Sequence, residues 1–199
     1  MKFPQFAASL VLSIALPALA GVEVGKPAPD FTLTDTSGKQ VKLSEHRGRY
    51  VVLEWVNPEC PYVRKHYNSA NMPNLQKEYG AKNVTWLAIN STREGHSEFK
   101  SPADMNAWMK QAGGAPAATL LDRDSKVGKL YGAVTTPHMY VIDPKGTLVY
   151  VGAIDDKRST NVADVKTAKN YVRAALGEAM AGKPVSTAST TPYGCTVKY

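Results

Sequence analysis

The chain has 199 residues, 24 Lys and Arg against 17 Asp and Glu for a net charge of +7, and two cysteines. Its cations are scattered and form no block of nucleic-acid type, so the excess charge reads as a solvated basic surface. No Cys/His cluster has zinc spacing, and no metal site is predicted.

The first 20 residues begin Met1-Lys2, run through an apolar stretch from Phe6 to Leu16 and end on Ala18-Leu19-Ala20, a small-x-small cleavage signal. The apolar run is too short to span a membrane comfortably, and nothing later is long enough. A bacterial Sec-type signal peptide is predicted over 1–20, with a mature chain from Gly21 in the periplasm or outside and no transmembrane segment after cleavage. An uncleaved anchor is the alternative. The rest suits one domain, and an even cysteine pair in an oxidising compartment suggests one disulfide or a redox couple.

Asp30-Phe31-Thr32-Leu33 is an extended lead-in after two prolines. Ser37-Gly38 marks a turn, and Val41 and Leu43 alternate as in a strand, so a hairpin is predicted. Ser44 to Gly48 reads as a loop or one helical turn. Tyr50 to Trp55 is the first core strand. Pro61 to Tyr79 has helical spacing, kinked or interrupted at Pro73. Asn83 to Ile89 is a second buried strand. Ser101-Pro102-Ala103-Asp104 starts a helix that runs to about Gln111. Ala118 to Leu121 is a short strand, and Asp124 is a candidate cap for a brief helix closed by Gly132. His138 to Ile142 and Leu148 to Val151 form a hairpin across Asp143-Pro144-Lys145-Gly146. Val162 to Met180 reads as one long helix with Val165, Ala168, Val172 and Leu176 on one face. A Ser/Thr/Pro tail, residues 182–199, carries Cys195, which divides the mature chain into a domain over 21–181 and this tail. The order predicts an α/β fold: a central mixed sheet flanked by helices.

Cys60 falls where the first core strand hands over to a helix, with Pro61 suited to the first helical turn. A thiolate there faces unpaired N–H groups and the positive end of the helix dipole, a setting that can bring a thiol pKa from ~8.5 to ~3.5–7.5. Glu59 opposes this, while Arg64 and Lys65 add positive charge. The rival reading is a buried, inert cysteine.

Asn57-Pro58-Glu59-Cys60-Pro61-Tyr62-Val63, Thr135-Thr136-Pro137-His138 and Tyr193-Gly194-Cys195-Thr196-Val197-Lys198-Tyr199 together resemble the redoxin branch of the thioredoxin superfamily. The nearest likeness is to secreted, peroxiredoxin-like proteins related to alkyl hydroperoxide reductases, from about Val24 to the end, including the entry segment Asp30 to Leu33. The resemblance implies a thioredoxin-like fold and a thiol-dependent oxidoreductase, either a peroxidase or a thiol–disulfide exchanger. It implies a peroxide or protein-disulfide substrate, a reducing thiol partner (thioredoxin-like or a small thiol), no cofactor and no nucleic acid. The chain departs from the family patterns. Against C-x-x-C, Asn57 stands first and only Cys60 is cysteine. Against the peroxiredoxin pattern P-x-x-x-T-x-x-C, Leu53 and Asn57 replace Pro and Thr. The Arg that usually precedes the late strand has no match in Thr135-Thr136-Pro137. Pro137 matches the cis-proline that faces the active thiol, with Thr136 offering backbone groups to a bound peptide or thiol.

Cys60 is therefore the candidate nucleophile and Cys195 the candidate resolving thiol. The 14 residues from Ala181 to Cys195 reach ~3.3–3.6 Å each, far enough to pair. The alternatives are a permanent disulfide pinning the tail, worth ~2–4 kcal/mol, or pairing with another molecule. Asn57 and Arg64 are candidate donors to a thiolate or peroxide. Glu54, inside a covered strand, is either a proton acceptor for Cys60 or a carboxylate hydrogen-bonded or paired with Arg64. Thr136, Pro137, His138 and Trp55 are candidates for binding substrate, with ordinary packing the rival for His138 and Trp55. His46, His66 and His96 read as surface residues. A copper site of Cys60, Met72 and His138 is a minor reading, since C-x-x-x-C is absent. The alternative function is a non-catalytic binding module for a protein or metal partner, stapled by a structural Cys60–Cys195 disulfide.

Overall fold

The structure, a computed structural model, describes residues 21–199; the signal peptide expected over 1–20 lies outside the described residues. Fourteen regular elements follow in chain order: β1 (Thr32–Asp35), β2 (Gln40–Lys42), β3 (Val51–Trp55), α1 (Pro61–Asn68), α2 (Asn71–Gly80), β4 (Thr85–Asn90), α3 (Pro102–Gln111), β5 (Ala118–Leu121), α4 (Lys126–Tyr131), β6 (Thr135–Thr136), β7 (His138–Ile142), β8 (Leu148–Gly152), α5 (Tyr171–Met180) and β9 (Cys195–Thr196). Seven strands form one mixed sheet in the order β2-β1-β5-β4-β3-β7-β8, and β6 pairs with β9 apart from it.

β3 is central because all five of its residues are apolar enough, or bonded well enough, to be buried. It runs parallel to β4, with Val51 opposite Thr85 and Trp55 opposite Ile89, and antiparallel to β7, with Trp55 opposite His138. Alternate side chains point to opposite faces. Val52, Ala88, Met139 and Val141 meet Val63, Tyr67, Leu75, Val172 and Leu176 from α1, α2 and α5. Leu53, Trp55, Leu87, Ile89 and Tyr140 meet Val127 and Tyr131 of α4 and Phe31 and Leu33 of the N-terminal hairpin. That hairpin forms as predicted, and β1 then joins the main sheet antiparallel to β5.

Three local expectations are revised. The Pro61–Tyr79 helix is two helices, parted at Ala70, whose φ of 58° is left-handed. Pro73 is the third residue of α2, inside the turn where a missing N–H costs nothing. The start of the brief α4 is held by two carboxylates, not by Asp124 alone: Asp124 accepts from Lys126 N at 3.2 Å, and the buried Asp122 accepts from Val127 N at 3.1 Å and Gly128 N at 2.8 Å. The long helix expected from Val162 is a 3-10 turn, Val162–Thr167, followed by α5. The segment between is drawn into pairing with residues 154–156, through Asp156 N to Lys169 O and Tyr171 N to Ile154 O. Asn170 then caps α5 by accepting from Arg173 N at 2.9 Å. Only Val172 and Leu176 of the predicted stripe reach the core, with Ala175 beside them.

The tail is part of the fold. It runs beside β8, where Val151 N bonds Ala188 O and Thr190 N bonds Val151 O, and then crosses to β6. It ends against α4, where the Tyr199 hydroxyl donates to Ala133 O. Among the described residues no helix is long and apolar enough to cross a membrane.

Candidate active site

Cys60 is the N-cap of α1, with Pro61 in the first helical position, as the local sequence predicts. The turn leading into it is built by Asn57, whose side-chain oxygen accepts from Glu59 N at 2.9 Å and whose carbonyl accepts from Cys60 N at 3.1 Å. The helix starts after Cys60, so Cys60 and not Asn57 occupies the capping position. A partner at C-x-x-C spacing within α1 would be Val63, which is buried in the core.

The Cys60 thiol donates to the Thr136 carbonyl at 3.0 Å. Thr136 precedes Pro137 through a cis peptide bond, so the expected proline loop does face the sulfur. β6 also receives the tail: Thr136 pairs with Cys195 and Thr135 with Thr196, antiparallel. Gly194 makes this approach possible. Its φ is +144°, and a Cβ there would stand 2.0 Å from the Thr136 oxygen. Both cysteines are free thiols. Burial, and then contact with the Cys60 thiol and its charge, push the Cys195 thiol up to about 12. Cys60 is only 1% exposed, buried as in the rival reading of the sequence.

The candidate donors are engaged elsewhere. The Asn57 amide donates to Glu98 at 2.5 Å. Arg64 donates from Nε to Pro58 O at 2.7 Å and from its terminal nitrogen to Glu59 at 2.5 Å. Both side chains shape the loop, because partners two to six residues away, and Glu98 beside the loop, satisfy them. Glu59 is also bound by Lys100 at 2.6 Å; that ammonium, with Arg64, holds its carboxyl below the usual range, and its charge is compensated. Lys65 adds no exposed positive charge at the site, because its ammonium is buried and donates to Lys157 O at 2.6 Å.

Glu54 is fully buried and accepts three hydrogen bonds: from Tyr67 at 2.9 Å, Gln76 at 3.0 Å and Trp86 Nε1 at 2.8 Å. Desolvation outweighs these donors and pushes its carboxyl up to about 7. Its partners are these three side chains, neither Arg64 nor Cys60. Trp55 lies on the opposite face of the sheet from Cys60, fully buried, donating to Ser91 at 3.0 Å and packed on Tyr131 and Tyr140. It packs as a core residue, as the rival reading expected. His138 shares that face, stacks on Tyr140, and is held neutral by burial, which pushes its imidazole down to about 4. Its Nε2 and the Thr136 hydroxyl are buried without hydrogen-bond partners among the described residues. Met72 lies in the core on the other face, so His138 and Met72 do not converge on Cys60 for copper. Among the described residues no three His, Cys, Asp or Glu side chains gather to hold a metal.

Sequence reasoning passed over a second buried polar cluster behind α1. His66, expected at the surface, is fully buried. It stands with Lys65, Asp155 and the tail residue Tyr193. Only Tyr193, two residues before Cys195, carried a signal, through its place in the terminal motif.

The comparisons with known proteins agree with this fold. The AhpC/TSA family profile matches residues 24–151. The chain is 28% identical over 130 residues to the thiol-disulfide oxidoreductase ResA of Bacillus subtilis, covering 65% of this chain and 67% of that protein. It is 30% identical over 142 residues to peroxiredoxin-2 of Cricetulus griseus, covering 66% and 69%. A crystal structure of a hypothetical protein from Sinorhizobium meliloti superposes with a TM-score of 0.77 at 26% identity, over 90% of this chain and 96% of that one. With its thioredoxin-like fold and its match over most of the domain, the chain belongs to the AhpC/TSA family.

Proposed function

We propose that the protein is an extracytoplasmic thiol–disulfide oxidoreductase that works through a Cys60–Cys195 couple. The observation that carries this reading is the meeting of both thiols at the proline loop, with Cys195 paired to Thr136 and Cys60 bonded to its carbonyl. The signal-like start, residues 1–20, supports the location.

In the proposed cycle the tail strand lifts and the Cys60 thiolate attacks one sulfur of a substrate disulfide. An S–S bond forms to Cys60, and the other substrate sulfur leaves as a thiolate. Cys195 then gives up its proton and attacks the Cys60 sulfur. The Cys60–Cys195 bond forms, the mixed disulfide breaks, and the substrate is left as two thiols. A reducing thiol partner returns both cysteines to the starting state. Thr136 and Pro137 form the edge along which a peptide disulfide pairs once the tail has moved.

Peroxide reduction is the second reading, favoured by the likeness to a peroxiredoxin. It is the weaker one, because the sulfur's hydrogen-bond partner is a carbonyl acceptor and the candidate donors Asn57 and Arg64 are bound elsewhere. Reaction of the reduced protein with a model disulfide and, separately, with hydrogen peroxide tests the choice. Disulfide exchange that is lost in Cys60→Ser supports the proposal. Fast peroxide consumption with slow disulfide exchange overturns it in favour of the second reading. Inertness to both leaves a stapled binding module.

A further inference from the structure

The mechanism just described uses neither Lys65 nor His66, yet both are buried to within 1% of complete enclosure. A buried ammonium carries a high desolvation cost, so its surroundings must compensate it. The cluster around it joins three separate parts of the chain: α1, the loop after β8 and the tail. Lys65, on α1, reaches Asp155 at 3.6 Å and Lys157 O at 2.6 Å, both in the loop after β8. Asp155 accepts from the Tyr193 hydroxyl in the tail. That hydroxyl also meets His66 Nε2 at 3.2 Å, and His66 Nδ1 meets the Asn71 amide at 2.9 Å. Burial and the Lys65 charge push His66 down to about 3, so the imidazole is neutral and bonds Tyr193 without competing for Asp155. Lys65 also lies 5.6 Å from the centre of the Tyr193 ring, and Tyr62 packs on that ring edge-on at 5.7 Å.

α1 thus carries the nucleophile at its N-terminus and, about one and a half turns on, the pair that grips the tail two residues before Cys195. We propose that Lys65, Asp155, His66 and Tyr193 form a latch that holds the tail strand on β6 and so sets the effective concentration of Cys195 at Cys60. These are positioning residues: they touch neither sulfur in any contact described above. The inference rests on the Cys60–Cys195 couple, and it adds that the couple's equilibrium is set by a buried charge network outside the proline loop.

Two measurements on Tyr193→Phe test it, with the folded state checked by circular dichroism. In a Cys60→Ser background, the alkylation rate of Cys195 reports how often the tail lifts, whatever the redox chemistry. The latch predicts an increase of about tenfold, the equivalent of losing one hydrogen bond to a charged group. In the protein with both cysteines, equilibrium between the dithiol plus oxidised glutathione and the Cys60–Cys195 disulfide plus two reduced glutathiones gives the effective concentration directly. It should fall about tenfold, while first-step alkylation of Cys60 does not slow. Lys65→Met with Asp155→Asn, which removes both buried charges together, serves as the second variant and should loosen the tail in the same sense. Cys195 alkylation within twofold of the parent in both folded variants overturns the latch. Faster Cys195 alkylation in a protein that never forms the disulfide keeps the latch and removes the redox reading instead.

Discussion

Replacing Glu54 by Gln should make the protein more stable above neutral pH and leave it nearly unchanged in acid. Glu54 lies under the sheet face that carries α1, without contact with solvent, and its carboxyl is pushed from an ordinary 4.5 up to about 7. Below pH 4.5 it is protonated in both folded and unfolded chains, and the displacement costs nothing. Between 4.5 and 7 the unfolded chain ionises while the folded one keeps its proton, so stability falls as pH rises. Above 7 the loss is complete and amounts to about 3 kcal/mol, from about 1.4 kcal/mol for each pH unit of displacement. Gln mimics the protonated acid: its oxygen can accept from Gln76 and Trp86, and its amide can donate to Tyr67, whose hydroxyl already accepts from Gln76. Urea unfolding of both proteins from pH 4 to pH 9 is the assay. The stability gap should widen by roughly 1 kcal/mol per pH unit up to about 7 and then level off. A gap that is the same at pH 4 and pH 8 would refute the burial argument, and would mean that solvent or an unrecognised cation reaches the carboxylate.

The remaining predictions concern the sulfur site. Cys195→Ser should stop the cycle after the first bond exchange: a mixed disulfide on Cys60 accumulates in mass spectra, and turnover falls by about a hundredfold or more because an external thiol lacks the advantage of proximity. Gly194→Ala puts a Cβ 2.0 Å from the Thr136 oxygen, so the tail strand should detach, at a cost of roughly 1–3 kcal/mol in stability and with faster Cys195 alkylation. Unchanged alkylation would mean that the strand tolerates the methyl group. Arg64→Ala removes a half-exposed guanidinium that binds Pro58 O and Glu59, so alkylation of Cys60 should change less than about threefold. A larger loss would restore Arg64 as a donor to the reacting group.

The junction at Cys60 was legible because every cue for it is local. A covered apolar run, a turn with Asn and Pro, and a proline one residue after the thiol fix the strand end and the helix start without help from elsewhere. The cis Thr136–Pro137 bond was legible only through resemblance, since a Thr-Pro pair carries no local sign of the bond's geometry. Glu54 stood out as a carboxylate in a buried strand, but its three donors come from α1, α2 and β4, and no spacing in the chain announces them. Asn57 and Arg64 misled for the reverse reason: partners within and beside the loop were available, and these won over a distant reacting atom. The tail was the largest loss. Its strand is two residues long and has no periodicity, and its docking depends on close backbone approaches at Gly152 and Gly194 to segments far away in sequence. The interrupted α5 has the same cause, since its upstream turn was drawn off by pairing with the loop that also carries Asp155.

The proposed chemistry requires that Cys60 and Cys195 form one reversible couple. The wild-type protein, equilibrated across a series of glutathione buffers, acid-quenched and mapped by peptide mass, answers this. Both thiols should disappear and return together, linked to each other in the oxidised form and fully recovered by reduction. Two thiols that titrate independently, each capped by glutathione, or a bridge that no reducing buffer opens, would contradict it.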